Sequence, residues 1–423
     1  MAHSPTLSLW DQTAAEPDLV SPMTADVVTD IAVVGGGFTG LSTALHAAVN
    51  GLDVCVLEAE QIGYGGSGRN VGLVNAGLWL PPQDVRAHFG EERGARLVEV
   101  LGEGPNYVMS LIEKYQIRCE LTRTGTIHAA HSPGGFRDLT RRAEEWRRLG
   151  APVSLLSKDE ACKKIGSPAF YGGLLDSRAG TINPMGYVRG LARAAKAAGA
   201  QIHTGVRVAK LARQADRWVL ETAGGTVSAN SVVLATNAYT DELWPGLRSS
   251  FVPINFFQVA TVPLGDRVAS ILAERQGLWD TGTVMFSLRR DAEDRLIIGS
   301  MGSVIGGAKG LSERWAARQL KRLFPDLGPV VFEKSWHGQI AMTADHIPRI
   351  HRLAEGLYTP IGYNGRGIAP GTVFGKAVAD LLAGGDEADL PLPVTGVKRE
   401  AVRGLKSGFY QTVFAANQML KSI

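Results

Sequence analysis

Apolar positions along the chain gather into short runs separated by stretches with helical spacing. Residues 31–34 form the first run and end at Gly35, after which small and apolar residues recur at helical spacing from Phe38 to Asn50, ahead of Gly51. This order predicts a strand, a tight turn, and a helix closed by glycine. Residues 53–57 predict the next strand, with Glu58 at its end. An Ala-rich amphipathic helix is predicted over 187–198, strands over 201–208 and from residue 231, and a strand, glycine loop and helix over 356–382. Two stretches differ in character. Residues 81–150 are charged and helix-rich, and 136–148 read as a solvated helix face. Within 244–336, residues 251–263, 284–289 and 295–299 read as strands, the last two joined in a hairpin by the turn at 291–294, with a helix over 312–324. Residues 1–28 read as a surface tail and 391–423 as a second tail.

Composition narrows the function classes. A chain of 423 residues, 45% hydrophobic and 20% charged, can bury a large core, which excludes a mostly disordered protein. Lys and Arg number 44 against 41 Asp and Glu, and the signs are interspersed, so nucleic acid is not expected as the main partner. The three cysteines form no CxxC pair, which points away from a disulfide framework or a cysteine zinc site and toward reduced thiols in the cytoplasm. His128 and His131 stand in H-A-A-H without H-E-x-x-H, so no metal is expected there. The most apolar stretch, 31–57, is broken by glycines, Asn50-Gly51 and Asp53 before it reaches the roughly 20 residues of a membrane span. No basic segment leading into an apolar one opens the chain, so neither a secretion signal nor a transit peptide is expected. Glycine is the unusual component: 51 residues, clustered at 35–40, 63–77 and 362–375.

Gly35, Gly37 and Gly40 complete G-x-G-x-x-G between the first strand and the helix that starts at Phe38 and Thr39. The first glycine permits the turn, the second admits a pyrophosphate to the backbone, and the third lets helix and strand approach. The helix N-terminus then faces the anion. Glu58, eighteen residues beyond Gly40, is placed to accept ribose hydroxyls and disfavours a 2′-phosphate.

A second glycine-rich stretch, 61–77, follows at once. The succession GGGFTGLSTA, VLEAE, GGSGRNVGLVNAG resembles flavoproteins of the D-amino-acid oxidase superfamily, and within it the secondary-amine oxidases of the γ-glutamylputrescine, sarcosine, pipecolate and iminodiacetate type. The resemblance runs from about residue 29 to the C-terminus. It implies an α/β protein in which a Rossmann-type FAD-binding domain (29–80, 151–240, 338–390) is interleaved with a mixed-sheet α+β substrate domain (81–150, 241–337). It places Ser67, Gly68, Arg69, Asn70, Gly72 and Leu73 around the diphosphate and isoalloxazine, Val208 at adenine, and Thr236 and Asn237 at the turn closing the nucleotide site. It also places Gly362, Asn364, Gly365, Arg366, Gly367 and Ile368 at the flavin, where a helix start supplies N–H donors to the reduced ring. No cysteine lies in the C-terminal flavin segment, and Arg69-Asn70 stand where histidine-linked relatives carry histidine, so FAD is expected to be bound noncovalently.

On the substrate side the resemblance implies a small secondary amine or N-substituted amino acid bearing a carboxylate. It would be oxidised by hydride transfer to the flavin, with imine hydrolysis and return of the electrons to oxygen as hydrogen peroxide. A carboxylate calls for a bidentate arginine. Arg289, after a strand, is the first candidate, matching the family's Tyr-x-Arg motif with Phe286 for Tyr and one more residue between. Arg366 and Arg69 are the others. Gln258, Trp336, His337 and Tyr363 are candidate pocket lining. Iminodiacetate, sarcosine, pipecolate and γ-glutamylated polyamines all remain open, as do a dehydrogenase passing electrons to a carrier, a flavin-bearing subunit of a larger oxidase, and the oligomeric state.

Overall fold

In the computed structural model, which describes residues 7–307 and 309–422, the strand Val27–Val34 lies in the parallel centre of a mixed sheet. It pairs with Gly225–Leu234 on one side and Val54–Glu58 on the other; Leu357–Ile361 extends the first edge and Gln201–Thr204 the second. Both faces of the central strand are covered, so its side chains alternate between two cores. Ile31 and Val33 pack toward the helices Phe38–Val49, Pro184–Ala197 and Ile368–Leu382, while Ala32 and Val34 pack with Trp218 and Leu220 of the antiparallel strands on the other side. A strand covered on both faces reads as a continuous apolar run rather than an alternating one, as the 31–34 segment does.

The second sheet has the order Phe332–Met342, Val252–Thr261, Leu296–Met301, Phe286–Arg290, Gly277–Asp280, Thr126–Ala129, Gly173–Asp176, Val153–Leu156. Its hairpin at residues 286–301 and the helix Leu311–Leu323 lie where the pattern places them. The domain limits need correction, because Val153–Leu156 and Gly173–Asp176 pair in this sheet rather than in the dinucleotide sheet, and the long strand Phe332–Met342 crosses residue 338.

Among the described residues, neither terminal segment is a loose tail. Leu9–Thr13 is a short helix whose Leu9 and Trp10 are buried, and Glu16 beneath it is bound by Arg193 Nε at 3.0 Å. At the other end Val394–Thr395 pairs with Arg349–Ala354, and the helix Arg403–Leu420 packs on Val252–Thr261 through Phe414. An isolated adjacent pair such as Leu9-Trp10 carries no periodicity to detect. Among the described residues no helix is long and apolar enough to cross a membrane, no group of three metal-ligating side chains occurs, and Cys55, Cys119 and Cys162 are free thiols.

Candidate active site

The strand Val27–Val34 ends at Gly35, whose φ of +112° turns the chain into the helix Phe38–Val49. A Cβ at Gly40 would lie 2.0 Å from the Gly35 carbonyl oxygen, so glycine is what lets this helix sit over the turn. Beside it runs the helix Ile368–Leu382, where a Cβ at Gly375 would meet the Thr39 carbonyl oxygen at 2.6 Å. Ser42 Oγ donates to the Thr372 carbonyl at 2.6 Å, and the Tyr363 hydroxyl and Thr39 Oγ1 share a hydrogen bond of 2.7 Å. Two helix N-termini are thereby locked side by side.

Both open into one cavity of about 360 Å³. Of the residues singled out in the sequence, Gly35, Gly37, Phe38, Thr39, Glu58, Ser67, Asn70, Leu73, Val208, Thr236, Asn237, Gly365, Arg366, Gly367, Ile368, Gln258 and Tyr363 line it. Glu58 accepts from the Gly36 N–H at 2.6 Å and the Glu60 N–H at 2.9 Å, and burial raises its pKa. Ser67 Oγ accepts from the Phe38 N–H at 3.0 Å, which ties the second glycine loop to the first helix.

The remaining candidates stand one layer back. Gly40, Gly68, Gly72 and Gly362 permit close packing behind the lining, and the Asn364 side chain bridges the Thr343 N–H and the Gly362 carbonyl. Arg69 donates through Nε to the Tyr64 carbonyl at 2.7 Å and through Nη1 to the His337 carbonyl at 3.3 Å. Arg289 and Trp336 do not reach the cavity. Arg289 is 1% exposed, its Nη1 bonded to the Ile182 carbonyl and at 3.5 Å to that of Val71, and burial pushes its pKa down to about 10. Trp336 is fully buried and donates to the Arg69 carbonyl at 2.8 Å. The arginine expected on the substrate thus lies behind the glycine loop. His337 is half-buried and lies outside the lining residues.

Arg366 does face the cavity. Its Nη1 donates to the carbonyls of Ala76 and Leu78, each at 3.0 Å, and its guanidinium carbon lies 4.4 Å from the Trp79 ring centroid and 4.8 Å from that of Trp279. The two indoles meet edge to face at 5.2 Å, and His128 stacks on Trp279 at 3.4 Å, kept neutral by burial. Among the described residues Nε of Arg366 has no partner. Sequence reading missed Trp79, Trp279, Phe256 and Met285, which wall this end. The only signal was Trp79's place just after the second glycine loop.

The family model for FAD-dependent oxidoreductases (DAO) matches residues 30–381. The chain belongs to this FAD-dependent oxidoreductase family. A probable oxidoreductase OrdL of Rhizobium meliloti (strain 1021) is 30% identical over 383 residues, covering 90% of this chain and 89% of the relative. The gamma-glutamylputrescine oxidoreductase of Escherichia coli (strain K12) is 31% identical over 366 residues, covering 85% of each. Among solved structures, glycine oxidase from Geobacillus kaustophilus superposes with a TM-score of 0.71 at 24% identity, over 88% of this chain and 99% of that one.

FAD is the cofactor of this oxidoreductase family, and the cavity fits it. Two helix N-termini and a glycine turn that no Cβ could enter meet a diphosphate's needs, and Glu58 at the end of the next strand meets those of a ribose. The cavity's other acids, Glu60 and Asp241, are both within 3.4 Å of Arg207, at the nucleotide end.

Proposed function

We propose that this oxidoreductase acts on a small secondary amine or N-substituted amino acid whose carboxylate is held by Arg366, and that it is an oxidase forming an imine and hydrogen peroxide. FAD, when bound noncovalently, supplies the acceptor for a hydride from the carbon beside the substrate nitrogen. The protein's part is to orient the amine and to keep water from the cleft.

One observation carries the reading. Arg366 is a cation whose pKa burial pushes down to about 9, and among the described residues no acidic side chain hydrogen-bonds to it. Its Nη1 is spent on backbone carbonyls, which fixes the plane, while Nε is unpartnered and Nη2 makes no hydrogen bond among the described residues. Nε is itself sealed from solvent, so the edge that can meet a carboxylate is the one Nη2 presents. A substrate anion there would offset the desolvation of the guanidinium. The indoles of Trp79 and Trp279 hold that edge in one orientation.

The test is discrimination between carboxylated and uncharged substrates. Purified protein with its FAD is assayed for peroxide with sarcosine, pipecolate and iminodiacetate, and with the amide of whichever is oxidised. Losing a buried charge pair costs on the order of 2–5 kcal/mol, roughly thirtyfold to several thousandfold in kcat/KM. Arg366→Ala is expected to lose that much on the carboxylate and little on the amide, and Arg366→Lys to recover only part. A variant that retains the wild-type preference for the carboxylate would refute the assignment.

A further inference from the structure

Four consecutive carbonyls of the second glycine loop are each held from outside the cavity by a different side chain. Gly68 O accepts from Ser8 Oγ at 2.9 Å, Arg69 O from Trp336 Nε1 at 2.8 Å, Asn70 O from Trp10 Nε1 at 2.8 Å, and Val71 O from Arg289 Nη1 at 3.5 Å. The donors come from three distant parts of the chain and are almost fully buried: Ser8, Trp10 and Trp336 at 0% exposure and Arg289 at 1%. They also brace one another. The Arg289 guanidinium lies 5.3 Å from the Trp10 ring centroid, and Trp10 meets Trp336 edge to face at 5.9 Å.

A trans peptide is planar, with its C=O and the following N–H pointing in opposite directions. Fixing a carbonyl outward therefore fixes the next N–H inward. Of the N–H groups governed by this rack, those of Arg69 and Asn70 bond to the Gly66 carbonyl at 3.3 and 3.1 Å, and that of Gly72 to Asn70 Oδ1 at 2.8 Å. The Val71 N–H has no partner among the described residues, and Val71 lines the cavity. Its peptide is the one whose carbonyl Trp10 holds.

We propose that the N-terminal segment is part of the cofactor site, with Trp10 a positioning residue that holds the Asn70–Val71 peptide so that the Val71 N–H is presented to bound FAD. The inference rests on the cavity being the FAD site and is independent of which amine is oxidised. Only the indole N–H is needed for the hydrogen bond, whereas the ring carries the packing against Arg289 and Trp336. The two roles therefore separate by substitution.

Trp10→Phe keeps an aromatic ring and deletes the donor. In the full-length protein the FAD dissociation constant, from quenching of flavin fluorescence on titrating apoprotein, is expected to rise about three- to tenfold, the loss of one hydrogen bond. The reduction potential of the bound flavin is expected to fall, because an N–H donor favours the electron-rich reduced ring. Trp10→His, which retains a ring N–H, should restore part of both. Ser8→Ala removes the donor to Gly68 O, whose peptide N–H is already bonded to Gly66. It should lower the thermal midpoint of the apoprotein without moving the potential. Wild-type FAD affinity and potential in Trp10→Phe would overturn the proposal. So would an equal shift of potential in Ser8→Ala, since the rack would then act only through general stability. If Trp10→Phe does not fold, Trp10→Leu takes its place: a potential below wild type that Trp10→His partly restores supports the proposal, and a wild-type potential in Trp10→Leu overturns it. Failure of the FAD assignment itself would look different, since the wild-type protein would then purify without flavin.

Discussion

Gly40→Ala adds a single methyl group at the tightest point of the site. That carbon would lie 2.0 Å from the Gly35 carbonyl oxygen and 3.1 Å from Val33 Cγ1, against a floor near 3.0 Å for real contacts, so helix and turn must separate by about 1 Å. The helix has nowhere to go. On its other side Gly375 already lies against Thr39 and Ser42, where a Cβ would find the Ser42 Cβ at 2.7 Å, and Ser42 Oγ is bonded to the Thr372 carbonyl. Overpacking of this kind costs about 1–3 kcal/mol of stability. The effect on the cofactor should be larger, because a 1 Å shift takes the first-turn N–H donors out of hydrogen-bond range of a phosphate. Two charge-assisted bonds at about 1.5–3 kcal/mol each correspond to roughly a hundredfold to ten-thousandfold in FAD affinity. The assay is fluorescence titration of refolded apoprotein with FAD, beside a thermal melt of the same sample. Gly51→Ala is the control. Gly51, unlike Gly40, has a positive φ, +84°, and nothing lies within 4 Å of its would-be Cβ, so that variant should lose about 1–2 kcal/mol of stability through backbone strain and keep its FAD affinity. Gly40→Ala with wild-type FAD affinity would refute the reasoning.

Two further outcomes follow from the same geometry. Glu58→Ala removes an acceptor for ribose hydroxyls and for the Gly36 and Glu60 N–H groups but leaves the phosphate cradle in place, so FAD affinity should drop about ten- to a hundredfold in the same titration, less than in Gly40→Ala. His128 is held neutral by burial and by the nearby Arg142 and Arg366, its folded pKa lying well below the unfolded value near 6.5. Below pH 6.5 the unfolded chain therefore takes up a proton that the folded one refuses, and stability falls with pH by up to about 1.4 kcal/mol per unit. His128→Phe, which keeps the stack on Trp279, should show a shallower acid-side loss of unfolding free energy than wild type between pH 6.5 and 5.5, and parallel profiles would exclude this role.

What was legible in the sequence was what steric necessity writes locally. Gly35, Gly37 and Gly40 announce a close backbone approach within six residues, and the runs at 31–34 and 53–57 announce strands covered on both faces. The segments at 201–208, 231–239 and 356–382 were readable through the family resemblance, although the first breaks after Thr204 and Val208 opens a separate antiparallel strand. Arg289 shows where this stops. Its strand was recognisable, yet the destination of its guanidinium is set by the Ile182 and Val71 carbonyls, 107 and 218 residues away. No local pattern encodes that. Trp10 reads as tail for the same reason, since its partners are Asn70, Arg289 and Trp336. The corner formed by Trp79, Trp279 and Arg366 is likewise assembled from three segments that share no motif.

The interleaving of the two sheets also bears on how the protein is made. The turn at Gly35 leaves the ribosome well before its sheet neighbours Gly225–Leu234 and Leu357–Ile361 and the second helix, Ile368–Leu382. Pairings of such sequence separation form slowly, and until they form the apolar strand Val27–Val34 lacks a partner on one edge. Chains stalled short of residue 368 lack half of the nucleotide cradle and should not capture FAD. Cofactor uptake is thereby confined to chains synthesised past the helix Ile368–Leu382, where binding adds free energy to the assembled cradle alone. Flavin supply in the cell should accordingly set the yield of native protein as well as its activity.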